Sequence, residues 1–202
     1  MALKLILCDL GNVLIRFDHR IAVKKILKHT PKTFDEVYST FFDSPLTKRF
    51  EDGKVSSEVF FNELAAKLEL KNLTFKEFIP LWNDIFFDNP GIETLLGALK
   101  RRYHLHMISN INALHYAYLL ETYPEIFKFF DKVYLSYEVG CSKPEREIYT
   151  RAVLECGYQF NETLYTDDRA DLIEEADKIG IPSVLFKGVE DLKKELESRK
   201  IL

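Results

Sequence analysis

A chain of 202 residues with 47% hydrophobic content has enough apolar side chain for one large domain, or for a core with a smaller second domain. Its net charge of −4, with acidic and basic residues interspersed, offers no basic face to nucleic acid or an anionic membrane, so a small-molecule partner is expected. Three cysteines (Cys8, Cys141, Cys156), odd in number and without CxxC spacing, argue against a disulfide framework or a zinc site, which makes the cytoplasm the default compartment.

Lys4 to Leu14 opens the chain with a short apolar run that ends in Asp9 and then turns at Gly11-Asn12. This reads as a buried strand delivering one carboxylate to its C-terminal end. The run is too short and too soon interrupted for a signal segment, and no stretch approaches the ~18 residues of a membrane span. Residues 20 to 88 change character. Helical patterns are expected over about 20–29, 33–43, 56–69 and 74–82, the last opened by the capping-box pattern of Thr74 and Glu77. Glu51-Asp52-Gly53 reads as the break between two helical pairs. Aromatics at helical spacing (Phe34, Tyr38, Phe41, Phe42; Phe75, Phe78, Trp82) read as the core of a small bundle.

From Asn89, the expected N-cap with Pro90 at the first helical position, helices and strands alternate. Helices are expected at 90–101, 112–122, 144–156 and 170–179, strands at 103–109, 132–136, 163–167 and 182–186, and a charged helix at the end. Strands separated by helices imply right-handed crossovers and a parallel sheet covered on both faces. The first strand joins that sheet, so the α/β core comprises 1–17 and 89–202 and the helical block 18–88 is an insertion. His104 and His106 share one face of a strand and read as structural, and Cys8 points away from Asp9 by alternation.

In such sheets ligands bind outside the carboxyl ends of the strands. Those ends carry Asp9, Ser109, the segment 136–143 with Lys143, and the pair Asp167-Asp168. A carboxylate is a candidate nucleophile, a hydroxyl with backbone amides can bind phosphoryl oxygens, and a lysine can neutralise charge on both. Hard oxygen ligands from Asp9, Asp167 and Asp168 suit Mg²⁺. Arg16, Asp18, His19 and Arg169 stand close enough in sequence to these motifs to contact a substrate.

Taken together, Asp9-Leu10-Gly11-Asn12-Val13, Ile108-Ser109-Asn110, Lys143-Pro144-Glu145 and Leu164-Tyr165-Thr166-Asp167-Asp168 resemble the four motifs of the haloacid dehalogenase superfamily, over essentially the whole chain. The resemblance implies a Rossmann-like doubly wound core with a helical cap inserted between the first and second motifs. It also implies Asp9 and Lys143 as catalytic residues, Gly11, Asn12, Ser109, Asn110 and Lys143 as phosphate-binding, and Asp9, Gly11 (through its carbonyl), Asp167 and Asp168 as Mg²⁺ ligands. The phrases around Asp9, Thr122-Tyr123-Pro124-Glu125-Ile126 and Gly140–Glu145 look most like the branch containing glucose-1-phosphate phosphatases. The implied activity is Mg²⁺-dependent hydrolysis of a small phosphomonoester, such as a sugar phosphate, through an aspartyl-phosphate.

One position departs from the pattern. Most phosphatases of the superfamily carry a second Asp two residues after the nucleophile as general acid and base, and here Gly11 stands in its place. Two alternatives follow from that departure. One is a metal-independent 2-haloacid dehalogenase type of hydrolase, whose Asp attacks carbon. The other is a catalytically silent phosphometabolite-binding protein.

Overall fold

A computed structural model of the protein describes residues 2–202. Its strands are β1 (Leu5–Cys8), β2 (Ile15–Phe17), β3 (Phe86–Asp88), β4 (His104–Ser109), β5 (Lys132–Leu135), β6 (Thr163–Asp167) and β7 (Ser183–Leu185). Five of them form one parallel sheet in the order β5-β4-β1-β6-β7. The chain leaves the central β1 to build β4 and β5 on one side, then returns to build β6 and β7 on the other. The crevice at the carboxyl end of β1 is therefore the switch point at which such sheets bind ligands. The fold class is the α/β, Rossmann-like parallel sheet expected from the alternation.

Strand β1 is buried along its whole length, as a central parallel strand must be. Ile6 and Cys8 pack into an apolar cluster with α6 (Ile92–Lys100) and α12 (Val189–Ser198). Leu5 and Leu7 pack on the opposite face with α10 (Arg146–Val153) and α11 (Ala170–Lys178). Asp9 continues the alternation of Leu5 and Leu7, so Cys8 does point away from it, and burial pushes the Cys8 thiol up to about 12. On the remaining core strands, His106 is buried with its Nδ1 2.8 Å from the Ala152 carbonyl. His104 differs from the expectation of a strand buried on both faces, because its side chain is exposed where the strand begins.

The inserted block contains α1 (His19–Ile26), α2 (Phe34–Phe42), α3 (Pro45–Glu51), α4 (Ser57–Leu68) and α5 (Phe75–Asn83). The expected capping box of α5 is present, with Thr74 and Glu77 bonding reciprocally, and Thr33 and Glu36 form a second one on α2. The aromatic stripe does form an apolar core: Phe41, Phe60, Phe78 and Trp82 are buried together, with Phe41 and Trp82 ring centroids 5.1 Å apart in an edge-on pair.

Three features differ from the sequence reading. Helix α3 fills part of the stretch between the helices expected at 33–43 and 56–69, opened by Ser44 as N-cap and Pro45 at its first turn. The segment after α5 forms β3, which pairs antiparallel with β2, Ile15 facing Asp88 and Phe17 facing Phe86, so a two-stranded ribbon joins block and core. Asn89 is not a helix cap. The N-cap of α6 is Gly91, with φ of 88°, while the Asn89 side chain donates to the Val13 carbonyl at 2.7 Å.

The remaining helices are α7 (Ala113–Thr122), α8 (Pro124–Phe127) and α9 (Ser136–Val139). No helix among the described residues is long and apolar enough to cross a membrane.

Candidate active site

Parallel register places the end of β1 beside the end of β6: Cys8 faces Thr166, and the Asp9 amide donates to the Thr166 carbonyl at 3.0 Å. The next residue on β6 is Asp167, so two carboxylates meet at the sheet edge. Lys143, from the loop before α10, lies between them, its Nζ 2.5 Å from Asp9 Oδ1 and 2.6 Å from Asp167 Oδ2. All three are almost completely buried: Lys143 is 5% exposed, Asp9 6% and Asp167 0%.

Oxygens of Asp9, Asp167 and Asp168 lie within 4.8 Å of one another. Burial is the main reason the Asp9 carboxyl is pushed up to about 7; Lys143 opposes it, and the like charges of Asp167 and Asp168 add to it. Burial likewise raises Asp168, against a hydrogen bond from Asn12. For Asp167 burial also acts upward, but Lys143 and the Tyr165 hydroxyl that donates to Oδ2 outweigh it and hold the carboxyl below its usual range. Lys143 is held charged because its two carboxylate partners outweigh the burial that would discharge it.

Three carboxylates thus face one ammonium. The neighbouring Arg169 spends its guanidinium on Asp171. The excess negative charge in a set of hard oxygen donors is what a small divalent cation balances, so the residues present fit Mg²⁺.

The turn after β1 is held by its own atoms. Asn12 adopts φ of 56°, a left-handed conformation that Asn tolerates. Its Nδ2 donates to Asp168 Oδ2 at 3.1 Å, its Oδ1 accepts from the Phe17 amide at 3.3 Å, and its amide donates to the Ile15 carbonyl at 2.8 Å. Asn12 therefore braces Asp168 against the turn. Asn110 makes a comparable brace: Nδ2 donates to the Lys143 carbonyl at 2.9 Å, and Oδ1 accepts from the Lys143 amide at 2.7 Å. Its side chain orients the lysine, which leaves its backbone N–H as the group available to a ligand.

A cavity of about 80 Å³, room for roughly two to three waters, adjoins these motifs and is lined by Gly11, Phe17, His19, Glu51, Ser109 and His115 among others. The Ser109 hydroxyl and the N–H groups of Gly11 and Asn110 have no hydrogen-bond partner among the described residues, so three residues lining this cavity carry a free donor. A Cβ on Gly11 would come within 2.7 Å of Phe17 Cε1; the Phe17 ring occupies the space in which a side chain at position 11 would sit. A larger cleft of about 510 Å³ runs along Asp88–Thr94 and Thr122–Ile126. It contains no residue of the four strand-end motifs, whereas the smaller cavity is lined by Leu10 and Gly11, which follow Asp9, and by Ser109 and Asn110, the latter bonded to Lys143.

The inserted block docks against this site through residues 51–53. Ser136 Oγ donates to the Glu51 carbonyl at 2.5 Å, and Ser142 Oγ donates to Asp52 Oδ1 at 2.6 Å. Lys48 and Lys54 both reach Asp52, at 3.0 and 2.9 Å. Sequence reading treated Glu51-Asp52-Gly53 only as a break between helices. It also missed Tyr165 as a partner of Asp167, and the sole local hint of the docking was an acidic pair before a glycine.

Residues 3–180 match the family model described as haloacid dehalogenase-like hydrolase. The chain belongs to the haloacid dehalogenase-like hydrolase family. Among its relatives, the D-ribitol-5-phosphate phosphatase of Bacteroides thetaiotaomicron is 27% identical over 203 aligned residues, spanning 96% of this chain and 97% of the relative. A haloacid dehalogenase family enzyme of the same organism, solved in complex with magnesium and inorganic phosphate, superposes with a TM-score of 0.82 at 26% identity, covering 93% of this chain and 96% of that one. The L-2-haloacid dehalogenase of Xanthobacter autotrophicus, solved with chloropropionic acid covalently bound, shares the fold at a TM-score of 0.65 and 17% identity, covering 99% of this chain and 84% of that one.

Proposed function

We propose that this family member is a phosphatase that hydrolyses a small sugar or sugar-alcohol phosphate through an aspartyl-phosphate on Asp9, with Mg²⁺ as cofactor. The observation that carries the reading is the convergence of Asp9, Asp167 and Asp168 with Lys143 buried between the first two. Three gathered carboxylates can hold a divalent cation, and a transferring phosphoryl group needs its negative charge offset by cations, a demand that displacement of halide at carbon does not make. The relatives named as a D-ribitol-5-phosphate phosphatase and as a magnesium and phosphate complex support the same choice.

Asp9 attacks phosphorus in line with the ester oxygen, helped by a buried lysine that holds it in place and offsets charge. Ser109 and the free N–H groups of Gly11 and Asn110 receive the equatorial phosphoryl oxygens as charge shifts onto them. Asp9, Asp167 and Asp168, with the Gly11 carbonyl, would hold Mg²⁺, which supplies positive charge beside the phosphoryl oxygens. The braces from Asn12 to Asp168 and from Asn110 to Lys143 keep both groups aimed before substrate arrives. Residues 18–88 act as the cap, closing over the site through the contacts of residues 51–53 and excluding water.

The test is a panel of sugar, sugar-alcohol and aryl phosphates, with 2-chloropropionate as the contrasting substrate, assayed with Mg²⁺ and with chelator. Phosphate release that requires Mg²⁺ and is lost in Asp9→Asn is expected. Halide release in chelator would overturn the reading in favour of carbon chemistry. No turnover of any phosphomonoester would leave a binding protein instead.

A further inference from the structure

Expelling an alkoxide requires a proton at the ester oxygen, and position 11 offers none: Gly11 has no side chain, and Phe17 occupies its space. The donor must then come from another wall of the cavity. Two of its residues are histidines. His115 has both ring nitrogens engaged, Nδ1 3.1 Å from Asn112 Nδ2 and Nε2 3.2 Å from the Trp82 carbonyl. His19 is stacked on Phe42 with ring centroids 3.7 Å apart and tilted against Phe17 at 4.5 Å. Burial pushes His115 down to about 3 and His19 down to about 4, so neither carries an extra proton at neutral pH.

Glu51 is the remaining titratable side chain among the residues lining the cavity. It is the last residue of α3, and its carboxylate makes no hydrogen bond or ion pair among the described residues, although the side chains of Lys48, Asp52 and Arg169 lie near enough to act on it electrostatically. Its backbone is clamped to the core on both sides. Ser136 Oγ donates to its carbonyl, Asp52 bonds Ser142 in the loop that carries Lys143, and Gly53 lies so close to Tyr137 that an added Cβ would sit 2.1 Å from the Tyr137 carbonyl oxygen. Glu51 thus combines an unpartnered carboxyl, a docked backbone and a place on the wall of the same small cavity as Gly11 and Ser109, which suits it to carry a proton there.

We propose that Glu51, supplied by the cap, is the general acid and base of the phosphatase reaction, on which reading this inference rests. In the first step an Asp9 oxygen forms a bond to phosphorus while the bond to the ester oxygen breaks. The released electron pair stays on that oxygen, which takes the Glu51 proton and leaves as the alcohol. In the second step water attacks phosphorus and gives one proton to the Glu51 carboxylate, and the Asp9–phosphorus bond breaks. Asp9 returns as carboxylate, Glu51 as carboxylic acid, and inorganic phosphate is released. Glu51 suits the exchange because burial, aided by the charge of Asp52 and opposed by Lys48 and Arg169, raises its carboxyl to about 7, where both forms are populated. A catalytic acid on the cap also means that proton transfer awaits closure.

The experiment compares wild type, Glu51→Gln and Glu51→Asp on glycerol phosphate, whose alkoxide needs a proton, and on nitrophenyl phosphate, whose phenolate leaves unaided. Glu51→Gln should lower kcat/KM on glycerol phosphate by about 10²–10⁴ and on nitrophenyl phosphate by less than about tenfold, with the thermal midpoint unchanged. Glu51→Asp should recover part of the alkyl activity. Equal losses on both substrates, or no loss on glycerol phosphate, would overturn the assignment to Glu51 while leaving the phosphatase reading intact. A wild type inactive on every phosphomonoester with Mg²⁺ would overturn both.

Discussion

Replacing Lys143 by Met removes the ammonium but keeps most of the side-chain volume, so it isolates the charge. Two buried carboxylates then remain within 4.8 Å with no cation between them. At an effective dielectric constant of about 20, two unit charges at that separation repel by about 3.5 kcal/mol. Removing one partner of a buried ion pair costs about 3–5 kcal/mol, a range that includes that value. For a chain of this size that corresponds to a fall of about 6–20 °C in thermal midpoint. The assay is thermal unfolding in chelator across pH. A carboxyl whose folded value is raised above its unfolded one binds protons more readily in the native state, so it destabilises as pH rises through that interval. Asp9 already lies at about 7 with Lys143 present. The deficit of Lys143→Met should therefore be fullest above pH 7 and shrink as pH falls from there toward the ordinary carboxylate range. Adding Mg²⁺ at neutral pH should return part of it, by about 2.7 kcal/mol at a hundred times Kd. A variant that melts within about 2 °C of wild type in chelator at pH 8 would refute the reasoning.

Gly11→Ala should destabilise by about 1–3 kcal/mol, because the new Cβ meets the Phe17 ring at 2.7 Å; Phe17→Leu added to it should recover part of the loss in chemical denaturation. Equal stability of Gly11→Ala and wild type would show that the ring yields freely. Gly53→Ala should cost at least about 1–3 kcal/mol, since its φ is 67° and its Cβ would sit 2.1 Å from the Tyr137 carbonyl oxygen. Its signature should be a raised KM from a cap held off the core, and an unchanged KM would contradict the docking role of residues 51–53. His115 has a folded value of about 3 against an ordinary one of 6.5, so the unfolded chain takes up its proton first. Stability should accordingly fall as pH drops between those values, by up to about 1.4 kcal/mol per pH unit, and His115→Gln should flatten that slope in denaturant titrations. An identical slope in the variant would place the proton uptake elsewhere.

The strand-end residues were legible because parallel strands joined by helices all project their carboxyl ends to one edge. Asp9, Ser109, Lys143 and the Asp167-Asp168 pair could be gathered from that rule without knowing any contact. Asn12 was legible as a turn residue, and its φ of 56° agrees, yet its bond to Asp168 depends on a register that no local pattern displays. Helix α3 carried a readable start in Ser44-Pro45, but its few residues lie between stronger patterns. The ribbon of β2 and β3 has three residues on each strand, brought together from far apart in the chain, and neither strand alternates long enough to signal a pair. Glu51 was hidden for a different reason. Its place on the cavity that Gly11 also lines follows from how the inserted helices sit on the core, a matter of tertiary packing. The same packing puts Phe17 against Gly11, so restoring an Asp at position 11 is a steric problem as well as a chemical one.

The proposed mechanism requires that Asp9 carry the phosphoryl group. Its most direct measurement is rapid acid quenching of enzyme turning over a phosphomonoester with Mg²⁺, followed by mass spectrometry of the peptides. A phosphoryl adduct on the peptide containing Asp9, absent in Asp9→Asn, is expected. An adduct on another residue, or full turnover by Asp9→Asn, would contradict it.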